Sequence, residues 1–540
     1  MKNGCLSSIL LLISVLAMAQ PVSFTPYNFG IGSYNSCTVD MNGDHLDDIV
    51  TVQLNQLTVY KQQATGGFIP TTYSLPGLGF GNLSPDWSIA AADFDRNGFT
   101  DLVFGNANRV SVLKADATGD TYLITTYPQN IFSQRTNFVD INNDGELDLF
   151  ACHDVAQSHS YRNNGNSQLI FDPTLMPTME VGGNYSSVWI DYDNDGDIDM
   201  YMAKCSAGAA PADPRRINLL YRNNGDGTFA EMAAAAGVND NAQSWSTAFA
   251  DYDNDGDLDF LLSNITEENK FFRNNGDGTF TDIFASTGIA PQLGSWEVLH
   301  ADFNNDGFED FLWKNSTELY LNNGNLTFTG YDLPFNDGSL ADLNNDGFID
   351  VLSDSNIYYN NGNSNKWLKV LLQGVESNRN GIGARIEIYG TWGVQIREIR
   401  SGEGFSVMSS LNAHFGIGNA TAIEKVVVKW PSGTTDIIVN PGPNQSLFVL
   451  EGSSPLNMVS VTKTAFTLYP NPATEVLNVQ PSTSAVQIES VVIYDIRGKV
   501  VLATRVNDRR IPVQKLESGT YLLLLKGTTG EYYVQRFIKE

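Results

Sequence analysis

The sequence predicts an all-β protein whose largest part is a propeller of seven blades, followed by two small β-sandwich-like domains. Three observations predict this fold. An aspartate-rich turn motif occurs seven times, its copies begin 40 to 60 residues apart, and short β-type segments flank the copies. Seven similar strand-rich units of about 50 residues are typical of propeller blades.

The motif is clearest at Asp191–Asp199, which reads DYDNDGDID and places acidic oxygens at every second position. Hard cations such as Ca²⁺ take six to eight oxygen ligands, and a D-x-[DN]-x-[DN]-G loop offers them from positions 1, 3 and 5 and from the carbonyl of position 7. The flanks Val188–Ile190 and Ile198–Met202 are β-type, so the loop joins two strands of a hairpin and not two helices. The motif therefore predicts a calcium site on a β-hairpin.

The charge of the chain is concentrated in these motifs. The formal net charge is −29, and 28 of the 61 acidic residues lie inside the seven nine-residue motifs. So negative a chain repels nucleic acid, which excludes that class of partner. Bound cations would offset part of the charge.

Residues 1–19 have the pattern of an export signal. Lys2 precedes the apolar run Ile9–Leu16, and an A-x-A cleavage site ends at Ala19. The run is too short to span a bilayer, and no later stretch approaches the ~20 apolar residues of a transmembrane helix. Removal of the signal leaves three cysteines, Cys37, Cys152 and Cys205, which we interpret as buried apolar groups. The alternative is a Cys152–Cys205 bridge between neighbouring blades.

The seven units occupy residues 20–363 and share a second signature. Residues 221–229 read YRNNGDGTF, and residues 272–280 read FRNNGDGTF. Asn-Gly and Asp-Gly supply the positive φ angles of a tight hairpin, so this signature needs no functional role. The seventh unit lacks a fourth strand after Gly362. Residues 21–28 are therefore predicted to supply it and to close the ring of blades.

Recurring in phase, the two signatures resemble the FG-GAP or VCBS repeat family, whose seven-bladed propellers include the head of integrin α chains. The resemblance implies up to seven structural Ca²⁺ ions. Loop 1 has His45 in place of the turn glycine and loop 2 has only three acids, so these sites are expected to be the weakest. The implied ligands, with Asp197 and Asp257 acting through their carbonyls, are Asp40, Asn42, Asp44 and Asp48; Asp93, Asp95, Asn97 and Asp101; Asp140, Asn142, Asp144 and Asp148; Asp191, Asp193, Asp195, Asp197 and Asp199; Asp251, Asp253, Asp255, Asp257 and Asp259; Asp302, Asn304, Asp306 and Asp310; and Asp342, Asn344, Asp346 and Asp350.

Two further domains follow. Residues 365–452, with GIGARI at 381–386 and VVVKWPSG at 426–433, resemble the ASPIC/UnbV domain, and its pairing with the repeats is similar to that in the cartilage acidic protein family of animals. After a linker at 453–464, residues 465–540, with YPNP at 469–472, resemble the type A sorting domain of type IX secretion. This resemblance implies a Bacteroidetes-type bacterium, the type IX machinery as a partner, and a secreted or outer-membrane surface location.

A ligand rim is predicted on the face opposite the metal loops. Trp87, Trp245 and Trp296 each stand six residues before a first aspartate, hence at the other end of an inner strand, and the long loop 203–218 carries Arg215 and Arg216. Such a rim could stack on sugars or anchor a protein. The alternative is that these tryptophans are wedged between blades.

Catalytic signatures do not stand out. The five histidines fall in no zinc-ligand spacing, and there is no G-x-S-x-G elbow and no phosphate-binding glycine loop. We interpret His414 as a packing or hydrogen-bonding residue. The sequence thus favours a secreted or cell-surface calcium-binding interaction or adhesion module with a protein or glycan ligand, and not an enzyme. The alternative is a surface hydrolase or an accessory protein in polysaccharide breakdown, which a pocket with two unmetallated carboxylates or a histidine–acid pair on the loop-free face would favour.

Overall fold

A computed structural model describes residues 22–31, 36–53, 55–75, 85–291, 293–313, 318–335, 337–453, 466–481, 488–495, 500–505, 509–527 and 532–540. The predicted export signal and residues 454–464 of the predicted linker lie outside these ranges.

The repeats form seven antiparallel sheets between residues 24 and 360. Five of the sheets take four consecutive strands each: β6–β9, β10–β13, β14–β17, β18–β21 and β22–β25. The strands are β1 (Phe24–Asn28), β2 (Ser36–Val39), β3 (Asp48–Gln53), β4 (Gln56–Gln62), β5 (Phe68–Ser74), β6 (Ser88–Ala92), β7 (Asp101–Gly105), β8 (Val110–Ala115), β9 (Tyr122–Thr126), β10 (Ser133–Val139), β11 (Asp148–His153), β12 (His159–Asn163), β13 (Leu169–Phe171), β14 (Asn184–Ile190), β15 (Asp199–Lys204), β16 (Leu219–Asn223), β17 (Phe229–Glu231), β18 (Ser244–Ala250), β19 (Asp259–Asn264), β20 (Lys270–Asn274), β21 (Phe280–Asp282), β22 (Val298–Ala301), β23 (Asp310–Trp313), β24 (Glu318–Asn322), β25 (Phe328–Asp332), β26 (Ser339–Ala341), β27 (Asp350–Ser353) and β28 (Asn356–Asn360).

The last sheet is completed by the first strand. Its order is β1-β28-β27-β26, and β1 pairs antiparallel with β28 from Phe24 opposite Asn360 to Asn28 opposite Asn356. The predicted pairing of the N-terminal segment with the seventh unit is thereby confirmed for the described residues. The backbone groups of β28 that would otherwise form an open edge are hydrogen-bonded to β1.

Burial decreases from the first to the fourth strand of a sheet. All seven residues of β10 and all six of β11 are buried, whereas β9 and β17 keep mostly exposed or half-buried residues. A strand that is covered on both faces is buried along its whole length, while an outer strand keeps one face towards solvent. The inner strands therefore form the centre of the assembly.

The first strands of successive sheets lie side by side. β6 neighbours β10, β10 neighbours β14, β14 neighbours β18, β18 neighbours β22, and β26 lies beside β2. Leu299 and Leu312 of the sixth sheet share a core with Leu340 and Val351 of the seventh. The Gln62 side-chain amide of the first sheet donates to the Asp342 carbonyl of the seventh at 3.3 Å. The first and seventh sheets are thus in direct contact.

Two sheets follow the repeats, with orders β33-β29-β36 and β31-β30-β34-β35. They share a core with the second and third sheets, in which Leu368 and Ile386 pack with Val103 and Leu149. The strands are β29 (Lys366–Gln373), β30 (Arg385–Gly390), β31 (Gly393–Glu398), β32 (Val407–Met408), β33 (Ala413–Gly418), β34 (Lys425–Lys429), β35 (Thr435–Val439) and β36 (Gln445–Leu450).

The connection 400–412, here called the inserted segment, enters the space between the inner strands. Its strand β32 pairs in parallel with β2, so the first sheet has five strands in the order β32-β2-β3-β4-β5. The Ser401 hydroxyl donates to the Ala91 carbonyl of the second sheet at 2.9 Å, and the Arg400 guanidinium donates to the Phe249 carbonyl of the fifth at 2.7 Å. On the seventh sheet, Leu340 accepts from the Ser410 amide at 2.9 Å. The segment therefore contacts inner strands from opposite sides of the array.

One glycine of the inserted segment is required by close approach. Gly402 has φ +84°, and a Cβ there would lie 2.1 Å from the Thr136 carbonyl oxygen. Any other residue would meet both a strained backbone and a backbone clash.

The C-terminal residues form two sheets, of orders β37-β38-β41 and β40-β39-β42-β43, around one core that includes Leu477 and Leu523. The strands are β37 (Phe466–Tyr469), β38 (Val476–Pro481), β39 (Ile488–Asp495), β40 (Val500–Arg505), β41 (Arg510–Pro512), β42 (Gly519–Gly527) and β43 (Tyr532–Lys539). Helical structure in the described ranges consists of α1 (Ala233–Ala236) and 3₁₀ turns at Pro214–Arg216 and Phe284–Ser286.

Two further expectations concern cysteines and membrane spans. Cys37, Cys152 and Cys205 are buried and free, so the interpretation of them as apolar groups is confirmed and the Cys152–Cys205 bridge is not formed. No helix within the described ranges has the length and apolar character needed to cross a membrane.

Candidate metal loops and the aromatic mouth

The turn of each metal loop is held by its own first aspartate. In the fourth loop the Gly196 amide donates to Asp191 Oδ2 at 3.0 Å, and in the fifth the Gly256 amide donates to Asp251 Oδ2 at 3.1 Å. In the fourth loop, Asn194 at position 4 has a left-handed backbone with φ +59°, and Gly196 at position 6 has φ +93°. Asparagine and glycine tolerate these angles, which explains their place in the motif. The loops are therefore preorganised by backbone hydrogen bonds.

The last aspartate of each motif joins three strands of its sheet. In the fourth sheet, Asp199 accepts from the Tyr192 amide at 3.2 Å and from the Asn223 amide at 2.7 Å. The same two bonds recur in every sheet, and each of these aspartates is buried. They are made by Asp48, Asp101, Asp148, Asp199, Asp259, Asp310 and Asp350. This position thus has a structural role beside its predicted role as a metal ligand.

The first asparagine of the second signature connects neighbouring sheets. Asn274 of the fifth sheet donates through Nδ2 to the Tyr192 carbonyl of the fourth at 2.9 Å. Asn322 donates to the Tyr252 carbonyl of the fifth sheet at 2.7 Å, and Asn163 and Asn360 make equivalent bonds. Sequence reasoning gave this asparagine no role beyond its turn. Its recurrence in phase with the metal loop is the signal that could have indicated a contact between units.

The fourth loop shows the best fit to a cation. Ligand oxygens of Asp191, Asp193 and Asp199 lie within 4.8 Å of one another. Asp191 Oδ1 and Asp193 Oδ1 are buried and receive no hydrogen bond. An unpaired buried carboxylate oxygen is costly, and an all-oxygen set of this kind suits Ca²⁺.

Other loops carry side-chain cations of the chain itself. Asp251, Asp253 and Asp255 converge in the fifth loop, but Arg273 contacts Asp253 at 3.0 Å and Asp255 at 3.1 Å.

The second and seventh loops receive cations from β29 and the loop after it. Asp93, Asp95 and Asp101 converge in the second loop, where Arg379 contacts Asp93 at 3.1 Å. In the seventh, Lys369 Nζ lies 2.7 Å from Asp342 Oδ2, and both side chains are buried. These loops are partly neutralised without a metal.

In the remaining loops the predicted ligands bond to the loop itself. Asp40 Oδ1 accepts from the amides of positions 3, 4 and 5, and His45 occupies the glycine position with φ +67°. In the third loop Asn142 Nδ2 donates to Asp144 Oδ2 at 2.8 Å while Asn142 Oδ1 is buried without a partner. In the sixth, Asn304 Nδ2 donates to Asp306 Oδ2 at 2.9 Å. Among the described residues, these three loops do not bring three acidic ligand atoms within 4.8 Å.

The three predicted rim tryptophans meet at the end of the inner strands away from the metal loops. Trp245 lies 5.0 Å from Trp296 and 5.0 Å from Tyr185 between ring centroids. Phe405 of the inserted segment lies 5.6 Å from Trp245 and 6.0 Å from Trp87. We call these five residues the aromatic mouth. Trp245 packs on Trp296 and Trp87 packs on Phe405, yet Trp87 and Trp296 remain 37% and 38% exposed.

The two predicted rim arginines differ in their surroundings. Arg215 is half exposed and pairs with Asp213 at 2.6 Å. Arg216 is buried, donates from Nε to the Asn241 carbonyl at 2.6 Å, and pairs with Glu267 at 2.7 Å. Arg216 therefore holds the loop to its neighbours.

Comparison with known families agrees with the repeat pattern. The FG-GAP-like repeat family matches residues 40–104, 93–151, 140–202, 207–262 and 251–313, which together make up half of the chain. The chain belongs to this family. The ASPIC and UnbV family matches residues 374–455, and the secretion system C-terminal sorting domain matches residues 467–540. The sorting domain indicates a secreted or outer-membrane surface protein that engages the secretion machinery.

Known relatives of this FG-GAP protein align with part of its sequence. Human cartilage acidic protein 1 is 25% identical over 411 residues, 64% of this chain and 60% of that protein. Mouse cartilage acidic protein 1 is 29% identical over 253 residues, 40% of this chain and 38% of that protein. The chain thus spans less than two thirds of these relatives. Among solved structures, rhamnogalacturonan lyase YesW aligns with 63% of this chain and 75% of its own, at 11% identity and a TM-score of 0.37.

A cavity of about 150 Å³ lies between the FG-GAP sheets and the ASPIC/UnbV residues. It is lined by His300, whose Nδ1 lies 2.6 Å from Glu309 Oε2, and by Arg397 and Glu398. Burial acts to raise the pKa of Glu309, but the Arg397 guanidinium and the His300 ring outweigh it and lower the pKa to about 2. Burial raises the pKa of Glu398 to about 7. Because Glu309 belongs to the sixth metal loop, this histidine–acid pair lies at the loop end and not on the loop-free face.

His414 makes a hydrogen bond, as expected. Its Nε2 lies 2.7 Å from Asn305 Oδ1 of the sixth loop. Burial, together with the nearby Lys369 and Arg397, lowers its pKa to about 3. The ring therefore links the ASPIC/UnbV sheet to an FG-GAP loop in its neutral form.

Acidification is expected to stabilise the metal-free protein. Burial and neighbouring carboxylates raise the pKa of Asp199 to about 9 and that of Asp251 to about 7. A carboxyl whose pKa is raised by folding contributes stability below its unfolded pKa, near 4, and loses it as pH rises through the folded pKa. The melting temperature in EDTA should therefore rise from pH 8 to pH 5. In saturating calcium it should not rise, because protons then compete with the metal. A melting temperature in EDTA that falls from pH 8 to pH 5 would contradict the raised pKa values of these aspartates.

The fourth loop is expected to depend on calcium more than the seventh. Asp195 and Asp346 occupy position 5 of their loops, and each accepts an amide bond through Oδ1, at 3.0 and 2.9 Å, which asparagine would keep. Asp195→Asn should reduce the stabilisation of the protein by calcium by about 1 kcal/mol. The matched Asp346→Asn should reduce this stabilisation by less than half as much, because Lys369 already neutralises the seventh loop. Calcium titrations monitored by calorimetry and melting temperature measure both. Equal losses of calcium stabilisation in the two variants would refute the expectation that the fourth loop depends on calcium more than the seventh.

Proposed function

We propose that this protein is a secreted or surface-displayed interaction module built on a closed, integrin-α-like seven-bladed propeller that calcium stabilises. The seven sheets, the pairing of β1 with β28 and the contact of the first sheet with the seventh support closure. The sheets after residue 365, each pair around a common core, support two sandwich-like domains.

Calcium is proposed as a structural ion. The acids of the fourth loop leave two buried oxygens unpaired, and the loop is tied by Asp199 to the next strand of its sheet. A divalent ion there would hold the turn and the strands together. Extracellular modules commonly bind calcium at ~10⁻⁴ to 10⁻³ M, which suits an exported protein.

The ligand is proposed to bind at the aromatic mouth. One observation carries this proposal: Trp87 and Trp296 keep more than a third of their surface exposed at one end of the inner strands, where Trp296 packs on Trp245 and Trp87 packs on Phe405. Large aromatic residues that stay accessible on a rigid scaffold are typical of binding hot spots. The metal loops occupy the other end and face the ASPIC/UnbV residues, so they are less accessible to a partner.

The proposal is tested on an array of glycans and extracellular proteins. The array is probed with the purified protein in millimolar calcium and again in EDTA. We expect at least one saturable ligand, with binding that weakens in EDTA as the scaffold loosens. An Asp346→Asn variant serves as a folded control with a near-intact calcium response. No ligand of either class would contradict the interaction role.

Hydrolysis is the second candidate function. The cavity with His300, Glu309 and Glu398 favours it, because a histidine oriented by a carboxylate can act as a general base. If the protein releases reducing ends from soluble polysaccharides and His300→Ala abolishes this release, hydrolysis becomes the leading function.

A further inference from the structure

The aromatic mouth is formed by two parts of the chain. Tyr185, Trp245 and the neighbouring tryptophans come from the repeats, and Phe405 comes from the inserted segment. Adjacent ring planes are inclined by 33° to 46° to one another, so the rings follow a curved surface and not a flat stack.

The exposed area lies on the outer members of the set. Trp87 and Trp296 are 37% and 38% exposed, while Phe405 is buried beneath them at 4%. The Phe405 amide donates to the buried Glu297 carboxylate, and the Ser406 amide donates to the Trp87 carbonyl at 2.9 Å. The floor of the mouth is therefore fixed by hydrogen bonds from a segment outside the repeats.

The charged groups around the mouth do not suit an anionic ligand. Arg215 pairs with Asp213, Arg216 with Glu267, and Arg135 with Glu297. The carboxylates include Asp86, next to Trp87, and Asp154, which accepts from the Tyr185 hydroxyl at 3.5 Å and from Gln134 at 3.1 Å. The mouth thus combines open aromatic faces with hydrogen-bond acceptors and neutralised cations.

We infer that the exposed tryptophans of the aromatic mouth bind the sugar rings of a neutral polysaccharide and that the buried Phe405 supports this binding surface from beneath. The inference rests on the proposed interaction function and names its ligand class. The apolar C–H faces of pyranose rings pack on tryptophan, and their hydroxyl groups donate to carboxylates. A polyanion would meet those carboxylates and the net charge of −29, and would be repelled.

The experiment measures binding of the full chain in millimolar calcium to soluble polysaccharides by affinity electrophoresis and calorimetry. The neutral probes are laminarin, mannan, xylan and dextran, and the anionic probes are alginate, polygalacturonate and heparin. Trp296→Ala and Trp87→Ala are each expected to weaken binding to the neutral ligand at least tenfold, and Trp296→Phe by no more than about threefold. Tyr27→Ala removes an aromatic ring that is 54% exposed on the strand β1 and should change nothing.

The outcomes separate this inference from the proposed function. Binding to an anionic polysaccharide or to a protein alone would overturn the neutral-sugar inference and leave the interaction role intact. Neutral-sugar binding that survives both alanine variants would overturn the placement at the mouth. Absence of any ligand would overturn both. Melting temperatures of the variants show whether a loss of binding is caused by unfolding. If an alanine variant is unfolded, the binding of Trp296→Phe and Trp296→Tyr decides whether the ligand binds at the mouth.

Discussion

Removal of calcium is expected to lower the melting temperature of this protein by roughly 10 °C. Free calcium at ~10 to 100 times the dissociation constant contributes about 1.4 to 2.7 kcal/mol per site. The fourth and fifth loops, where acids converge and buried oxygens lack partners, would together supply about 3 to 5 kcal/mol. In a large domain each kcal/mol corresponds to about 2 to 4 °C.

The measurement is differential scanning calorimetry in 10 mM calcium, then after dialysis against EDTA, then after calcium is restored. Potassium chloride at matched ionic strength controls for screening of the surface charge. We expect full recovery on restoring calcium and little effect of the salt. A melting temperature that is the same in EDTA and in calcium would contradict the structural role of the ion.

The second large effect is expected from Glu297, at the end of the inner strands. Arg135 and Glu297 are both buried and lie 3.3 Å apart, from the third and sixth sheets. Glu297 also accepts from the Ser246 hydroxyl of the fifth sheet and from the Phe405 amide. Two nitrogens of Arg135, Nε and Nη1, have no hydrogen-bond partner. Glu297→Ala would leave a buried guanidinium unpaired, at a cost of about 3 to 5 kcal/mol in unfolding free energy.

Denaturant unfolding of three variants tests this expectation. Glu297→Ala should be strongly destabilised, and the double variant Arg135→Met with Glu297→Leu should recover much of the loss, because no unpaired charge remains. Asp172→Ala breaks the half-buried Arg162–Asp172 pair at 3.0 Å and should cost at most about 1 kcal/mol. Equal losses in the Glu297→Ala and Asp172→Ala variants would show that the buried pair is not a link between the sheets.

Local sequence signals predicted most of the repeat architecture. The hairpin loops and the strands on both sides follow from glycine, asparagine and alternating apolar residues within about ten positions. The missing fourth strand of the last unit also indicated the partner of Phe24–Asn28. The aspartates and the rim tryptophans could be placed at opposite ends of the inner strands because a strand has a fixed direction.

The inserted segment could not be predicted in this way. Residues 400–412 have the glycine and serine content of an ordinary loop, and two of their partners, Leu340 and Ala91, lie 69 and 310 positions away. Arg135 and Glu297 are likewise joined over 162 positions. Two of the cations on the metal loops, Lys369 and Arg379, come from residues that follow the repeats. Such contacts depend on how the sheets assemble and leave no local pattern.

The pairing of β1 with β28 also determines when the last sheet of the repeats can be completed. Phe24 and Asn360 are neighbours in the last sheet although 336 positions separate them. No sequence of local folding events can finish this sheet before the strand Asn356–Asn360 has been synthesised, and loop closure over such a length is entropically costly and slow. The N-terminal strand must therefore wait, unpaired, for most of the chain to emerge.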